Sequence, residues 1–453
     1  MKVSMWPWRG LPGRAADCWR RRRHTPTNLG LDRVLIRTQP LGENYGGVLQ
    51  AYALQKAIKA LHREVDTDHS RPPGMVARLL RPLIAAERAT GFGPYLRRDA
   101  LFCSQANLRD FVGRQMDTTA HFVHSRRPPQ AVLSRYSSFV VGSDQVWRPA
   151  YSDVPSSLFD FLPEAIQGNR LSYAASFGTD SLSEFTPSLV QATLPLAGRL
   201  DAVSVREASG VSMAAQVWGR NDAVQHVDPT LLLGREDYNG VIASAPSMEG
   251  LPRPGGIVVY ILDPTPDILE AVDAISVGLG LPWVSIQRPK PESARAYRAS
   301  PGKYRRIPVE VWLKAIGDAG LVITDSYHGC VFSIVFETDF LVFPNAQRGL
   351  TRFTSLLELT GLQGRALAPS AVLQQIWGRE FIAPIDWGPV SARVDAARQL
   401  GLAYLCRHLS HERFESPPSV GADAASGCAE EHGHAAVPRG EGFGAPCRPL
   451  ARD

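Results

Sequence analysis

His328 is the side chain suited to trade a proton near neutral pH within Leu321–Phe336, LVITDSYHGCVFSIVF. Leu321–Thr324 is a short apolar run with β-branched residues, as a buried strand requires. Asp325, Ser326, Tyr327 and His328 follow, then Gly329 and an apolar run, Cys330–Phe336, that suits a buried helix or a strand. A strand that ends in polar residues and turns into an element opening with glycine is where open α/β sheets hold ligands. The plain alternative is that Asp325 and Ser326 cap a helix and His328 only packs.

Other polar groups recur at similar places. Val34–Thr38 predicts a strand, followed by Asn44-Tyr45-Gly46-Gly47 and a helix over 48–61 with Ala51, Leu54, Ile58 and Leu61 at helical spacing. The two glycines let backbone approach a ligand, and a helix N-terminus offers free N–H groups to an anion. A tight loop explains the same residues. Phe139–Gly142 predicts a strand ending in Ser143-Asp144, where Asp144 either meets a substrate hydroxyl or caps the next turn. Strands are also predicted at Arg170–Ala175, at Ala202–Val205 ending in Arg206-Glu207, and at Val224–Val227 ending in Asp228-Pro229. His226 reads as a structural histidine and Asp228-Pro229 as a turn.

The elements that must position these residues form two α/β units. A stretch rich in Pro, Gly and Ser, 246–256, separates them. In the second unit, strands are predicted at Ile257–Leu262, Trp283–Ile286, Leu321–Thr324 and Phe340–Phe343, with helices at Asp267–Gly278, after Pro308, at Leu350–Leu359 and at Ala392–Leu405. The expected fold class is α/β, two Rossmann-like doubly wound domains facing a cleft. The expected organisation is a disordered basic extension over 1–33 and a first domain over 34–244, with a helical insertion near 72–135. A second domain with a closing helix over 245–412 and a disordered tail over 413–453 complete it. Within the insertion, Met75–Thr90 and Leu101–Met116 are helix-compatible.

Composition narrows the function. The chain has 453 residues, 44% of them hydrophobic, enough for more than one buried core. Its net charge of +5 is inflated by Arg14 and Arg20–Arg23 near the start, so the balance does not argue for nucleic acid. Arg and Trp in that segment allow peripheral contact with an anionic membrane, without a secretory h-region or an apolar run of membrane-spanning length. Six cysteines without a CxxC pair predict free thiols in a reducing compartment. Cys428, His432, His434 and Cys447 match no zinc spacing, and no metal is expected.

Six stretches occur in one order: Asn44-Tyr-Gly-Gly-Val-Leu-Gln-Ala-Tyr-Ala-Leu, Val141-Gly-Ser-Asp-Gln-Val-Trp, Ser172-Tyr-Ala-Ala-Ser-Phe-Gly, Ser204-Val-Arg-Glu, Val227-Asp-Pro-Thr-Leu-Leu-Leu and Thr324-Asp-Ser-Tyr-His-Gly. Together they resemble the polysaccharide pyruvyl transferase family over about residues 34–362. The resemblance implies a fold like the two-domain GT-B glycosyltransferases. It implies transfer of a pyruvyl group from phosphoenolpyruvate to saccharide hydroxyls, closing a cyclic ketal on a capsule, exopolysaccharide or cell-wall polymer. No cofactor beyond the phosphoenolpyruvate donor is implied. The enzyme would be cytoplasmic, at the inner membrane face if its acceptor is lipid-linked.

By that resemblance His328 matches the catalytic histidine and would protonate the enol methylene as general acid. Arg206 matches the substrate-binding arginine, whose guanidinium can clamp a carboxylate or phosphate; its alternative is a salt bridge to Glu207 or another acid. Asn44, Tyr45, Gly46 and Gly47 would line the cleft, and Asp144 would orient an acceptor hydroxyl or act as base. One departure stands out: well-described members carry arginine two residues before the histidine, where this chain has Ser326. Arg348 or Arg352 could replace that cation, or the Ser326 hydroxyl and helix N–H groups could hold an oxyanion. Two other readings compete. A nucleotide-sugar glycosyltransferase would need acidic ribose contacts, for which Asp263 and Glu270 are weak candidates. A non-catalytic glycan-binding relative would fit the loss of that arginine, but not the retention of His328 and Arg206.

Overall fold

The computed structural model describes residues 33–69, 100–119, 128–250, 253–345, 349–374 and 383–409. The basic start, the expected helix Met75–Thr90, Arg348, and the tail with Cys428, His432, His434 and Cys447 lie outside the described residues.

Strands β1 (Arg33–Arg37), β2 (Glu64–Asp68), β3 (Thr118–Thr119), β4 (Ser138–Val141) and β5 (Asn169–Ser172) form a parallel sheet in the order β3-β2-β1-β4-β5. Val34, Leu35 and Ile36 are buried because β1 is central and covered on both faces. Beyond β5 the bridges Leu171–Ala202 and Ala175–Val205 lead to a parallel pair, β6 (Ser204–Val205) and β7 (Val224–Gln225). The second sheet joins β8 (Ile257–Tyr260), β9 (Trp283–Ser285), β10 (Leu321–Thr324) and β11 (Phe340–Val342) in the order β11-β10-β8-β9, again parallel. Strand order reverses between β1 and β4 in one sheet and between β8 and β10 in the other. At such switch points the flanking loops part and leave a crevice beyond the strand C-termini.

Two strands escape a hydrophobicity reading. EVDTD over β2 looks like a charged loop, yet the parallel register sets Arg33 opposite Glu64. Arg33 pairs with Glu64 and with Asp66 (2.9 Å), and Arg37 pairs with Asp68. Neutralised laterally, the acids let Val65 and Thr67 turn inward. Helix α2 (Ala106–Gln115) and β3 then complete the edge of the sheet. Residues 100–119 are therefore part of the winding of the first sheet rather than an insertion laid over it.

Helix α1 (Tyr45–Ala60) starts where Asn44 Oδ1 accepts the Gly47 N–H at 2.5 Å and ends with Lys59 near its C-terminus. It is buried nearly all round, because it lies where the two halves meet. Tyr45 stacks on Trp312 of α3 (Val309–Gly317) at 5.0 Å, and its hydroxyl donates to the Ile307 carbonyl at 2.8 Å. One apolar cluster holds Ile36, Val48 and Leu54 from the first half with Tyr260, Trp312, Val322 and Phe332 from the second. A last helix, α6 (Trp387–Leu409), crosses back to the first sheet. Its Arg398 donates to the Leu231 carbonyl (2.8 Å), its Tyr404 hydroxyl to the Ser172 carbonyl (3.0 Å), and its His408 carbonyl accepts from Asn169 (2.9 Å). His226 belongs to this packing. Its ring lies 4.7 Å from that of Tyr404, and burial, then His408, lower it to about 4. Two further helices, α4 (Tyr327–Phe336) and α5 (Leu350–Thr360), lie between α3 and α6 along the chain.

Candidate active site

A cavity of about 570 Å³ opens between the two switch points. Gln39, Asn44, Gly46, Asp144 and Gln145 line it from the first sheet, and Tyr260, Leu262, Ser326, Tyr327, His328 and Arg352 from the second. The loops after β1 and β4 are tied together there: Thr38 Oγ1 donates to the Ser143 carbonyl (3.1 Å) and Gln39 Nε2 to the Gln145 carbonyl (2.9 Å). In the other half Asp325, wholly buried, accepts the N–H groups of Leu262 (2.6 Å) and Asp263 (2.9 Å). Asp325 thus joins the β8 and β10 ends and does not cap a helix. Ser326 alone caps α4, its Oγ accepting the Gly329 N–H at 3.4 Å. Cys330–Phe336 is accordingly helix, and His328 lies in its first turn.

His328 is nearly buried and wedged between two halves of the molecule. On one side is Gly46, where an added Cβ would overlap the imidazole beside Nδ1. On the other, Nε2 lies 3.6 Å from Asp228 Oδ2. Asp228 is fully buried; its Oδ2 also accepts from Arg206 Nη1 (2.8 Å) and Ser143 Oγ (3.3 Å), and its Oδ1 from Thr230 N (3.0 Å) and Oγ1 (2.7 Å). Burial alone would raise this carboxyl, but the His328 ring beside it and the charge of Arg206 hold it well below the usual carboxylate range. Asp228-Pro229 does form a turn, yet that reading missed the role of the carboxylate. An acid beside the apolar run Leu231–Leu233 needs buried partners.

Arg206 is buried against three carboxylates: Asp228 at 2.8 Å, and Asp144 and Glu207 at 3.9 Å each. Burial opposes its charge; the carboxylates more than offset that and raise it. The salt-bridge alternative therefore describes Arg206 here, with Asp228 as the main partner. Its guanidinium lines a smaller cavity of about 280 Å³ behind the first, with Tyr327 and Arg352 between the two. The Tyr327 ring is flanked by both guanidiniums, Arg206 at 4.9 Å and Arg352 at 5.5 Å. Arg352 is lowered to about 10, by burial first and then by the positive charge of Arg206. Two buried cations this close favour an anion between or beside them.

Asp144 faces the cavity from a left-handed backbone, φ +78°, and its Oδ1 accepts the Gln145 N–H at 2.9 Å. Such a conformation in a residue other than glycine costs about 1–3 kcal/mol and is characteristic of functional sites. Tyr45 and Gly47 do not line the cavity. The Tyr45 side chain lies in the core against Trp312, and Gly47 packs on the Asn44 side chain, whose Oδ1 would sit 3.1 Å from an added Cβ. Asn44 lines the cavity while its Oδ1 serves as the helix cap. Of the acids weighed for a ribose, Glu270 is exposed and Asp263 accepts from Asn345 at 3.0 Å. Sequence reasoning also passed over Gln287, Lys290 and Arg306, which line the cavity from loops without a motif.

A family model for polysaccharide pyruvyl transferase matches residues 44–347, which span both switch points and His328. The chain belongs to the polysaccharide pyruvyl transferase family. It is accordingly a transferase that acts in pyruvylation of polysaccharide, and the match runs from Asn44, the cap of α1, past the histidine turn. No curated protein matches the chain in sequence. Among solved structures it is similar to a UDP-N-acetylglucosamine 2-epimerase from Rickettsia bellii, at 7% identity and TM-score 0.43, covering 83% of this chain and 95% of that one. It is also similar to Arabidopsis thaliana UGT89C1 complexed with UDP-L-rhamnose (10% identity, TM-score 0.44, 83% and 98% covered). A third is S. aureus MnaA with UDP (12%, 0.43, 83% and 94%). Among the described residues no helix is long and apolar enough to cross a membrane.

Proposed function

We propose that this pyruvyl transferase takes the pyruvyl group of phosphoenolpyruvate and closes it as a cyclic ketal on two hydroxyls of one saccharide residue, releasing phosphate. The observation that carries the reading is His328, held between Gly46 and Asp228 at the cavity wall beside the Arg206–Tyr327–Arg352 cluster. Phosphoenolpyruvate needs a proton on its terminal methylene before its central carbon will accept a hydroxyl. Nε2 of His328 is closed off from solvent on the Asp228 side, so the proton leaves from Nδ1, the nitrogen beside Gly46. Asp228 stabilises the protonated ring and fixes its plane, a positioning role. One saccharide hydroxyl adds to the central carbon, its proton passing to Asp144. Phosphate then leaves with the proton held by Asp144, and the second hydroxyl completes the ketal, its own proton restoring Nδ1 of His328.

Arg352 and the N–H groups opening α4 supply the positive field for the donor anion, while Arg206 stays paired with Asp228 behind Tyr327 and holds that acid in place. On this reading the cation that relatives place two residues before the histidine comes instead from α5, and Ser326 is spared for capping. The reaction needs neither metal nor nucleotide, and a cytoplasmic location suits its donor. Titration calorimetry with phosphoenolpyruvate, on the intact protein and on Arg352→Met, tests it. Saturable binding lost in the variant is expected. Absence of binding at millimolar donor, with a neutral glycan mixture present, would refute it.

A further inference from the structure

We propose that the same cavity contains a second anion subsite, built by Arg306, Lys290 and Gln287, which takes a phosphate carried by the saccharide acceptor. This rests on the pyruvyl-transfer reading, in which the donor occupies the His328 end. Arg306 lines the cavity and is only 8% exposed. Its backbone is clamped to the first half of the molecule: its N–H donates to the Ser104 carbonyl (2.8 Å) and its carbonyl accepts from Asn107 Nδ2 (2.7 Å). That anchors the residue, and the side-chain partner of its guanidinium is the neutral carboxamide oxygen of Gln287, reached by Nη1. Among the described residues no carboxylate forms an ion pair with Arg306 or with Lys290, which lines the same cavity.

That contrasts with Arg206, which is surrounded by acids. A guanidinium nine-tenths buried without counter-charge is costly unless an anion from solution completes it. The acids on the cavity wall do not do so. Both oxygens of Asp325 are taken by backbone N–H groups, and neither Glu43 nor Asp144 pairs with Arg306. A planar fork and a mobile ammonium together suit the tetrahedral oxygens of a phosphate. The subsite is built into the same frame as the histidine: Tyr45 holds the carbonyl of Ile307, next to Arg306, while the adjacent Gly46 backs onto His328. A cavity of about 570 Å³ also leaves room for more than the small donor.

Calorimetry on the full chain, with and without saturating phosphoenolpyruvate, would compare glucose 1-phosphate, glucose and glucuronate. The expected result is that glucose 1-phosphate binds with the donor present, while glucose and glucuronate bind about tenfold more weakly or worse. Arg306→Gln and Lys290→Gln should each weaken glucose 1-phosphate by about tenfold and leave donor affinity within about twofold. Loss of donor affinity in step with glucose 1-phosphate, or competition between the two, would assign these cations to the donor and overturn the proposal. Equal binding of glucuronate would overturn it too. Lys290 is exposed, so Lys290→Gln carries the test if Arg306→Gln does not fold. Failure of the donor to bind would sink the pyruvyl-transfer reading instead, and glucose 1-phosphate binding would remain readable without donor.

Discussion

At the scale of single residues the site turns on a histidine and the acid behind it. His328→Gln should lower kcat by about 10²–10⁴-fold while donor affinity in calorimetry changes little, because the ring moves a proton and does not hold the anion. An equal loss of donor affinity would mean that the ring is part of the anion pocket. Asp228 acts through two partners at once, so Asp228→Asn should lower kcat and also destabilise the fold by about 3 kcal/mol, since it leaves Arg206 buried with weaker partners. The sign with pH follows from its depressed folded value. The carboxylate contributes stability above its unfolded pKa of about 4, and that contribution is lost as pH falls below it. Melting curves from pH ~6 to ~3 should therefore fall more steeply for the natural protein than for Asp228→Asn.

Short elements set the reach of those residues. The turn into α1 brings backbone against an imidazole from the other half, which only a residue without a side chain permits at position 46. Gly46→Ala should displace His328 and cost about 10²-fold in kcat. Gly47→Ala, whose Cβ would meet only the Asn44 carboxamide, should cost far less. Comparable losses in the two variants would show that the turn, not the histidine contact, is what matters. At the other helix, Ser326→Ala removes a cap worth about 1 kcal/mol and should lower Tm with donor affinity nearly unchanged. A large loss of donor affinity would return Ser326 to the anion site.

Across the whole molecule the two sheets share one apolar cluster, sealed by Tyr45 between Trp312 and Tyr260 and strapped by α6. An interface of that kind behaves like a domain core, unlike the polar, loosely held interface between hinged domains. Calorimetric unfolding should accordingly show a single transition for both halves. Tyr45→Phe, which loses the hydroxyl bond to Ile307, should lower that one transition by about 1 kcal/mol without splitting it. Two resolved transitions would refute the shared core.

The sequence by itself determined the strand-turn-helix units, because β-branched runs such as Val34–Thr38 and Leu321–Thr324 and the helical spacing after Asn44 are local signals. It also determined the family, because six motifs in order carry that information without any geometry. It placed His328, Asp144 and Asn44 beyond strand ends, where parallel sheets open. It passed over β2, whose acids are charge-balanced only once Arg33 and Arg37 lie alongside. It misjudged Asp228 and Tyr45 for the same reason: a turn acid and a glycine-flanked tyrosine look local, but their partners lie far along the chain in Arg206, His328 and Ile307. Which cations stand free and which are already paired was decided by tertiary structure alone. Burial makes an unpaired charge costly, and only the packed fold says which groups lie within reach.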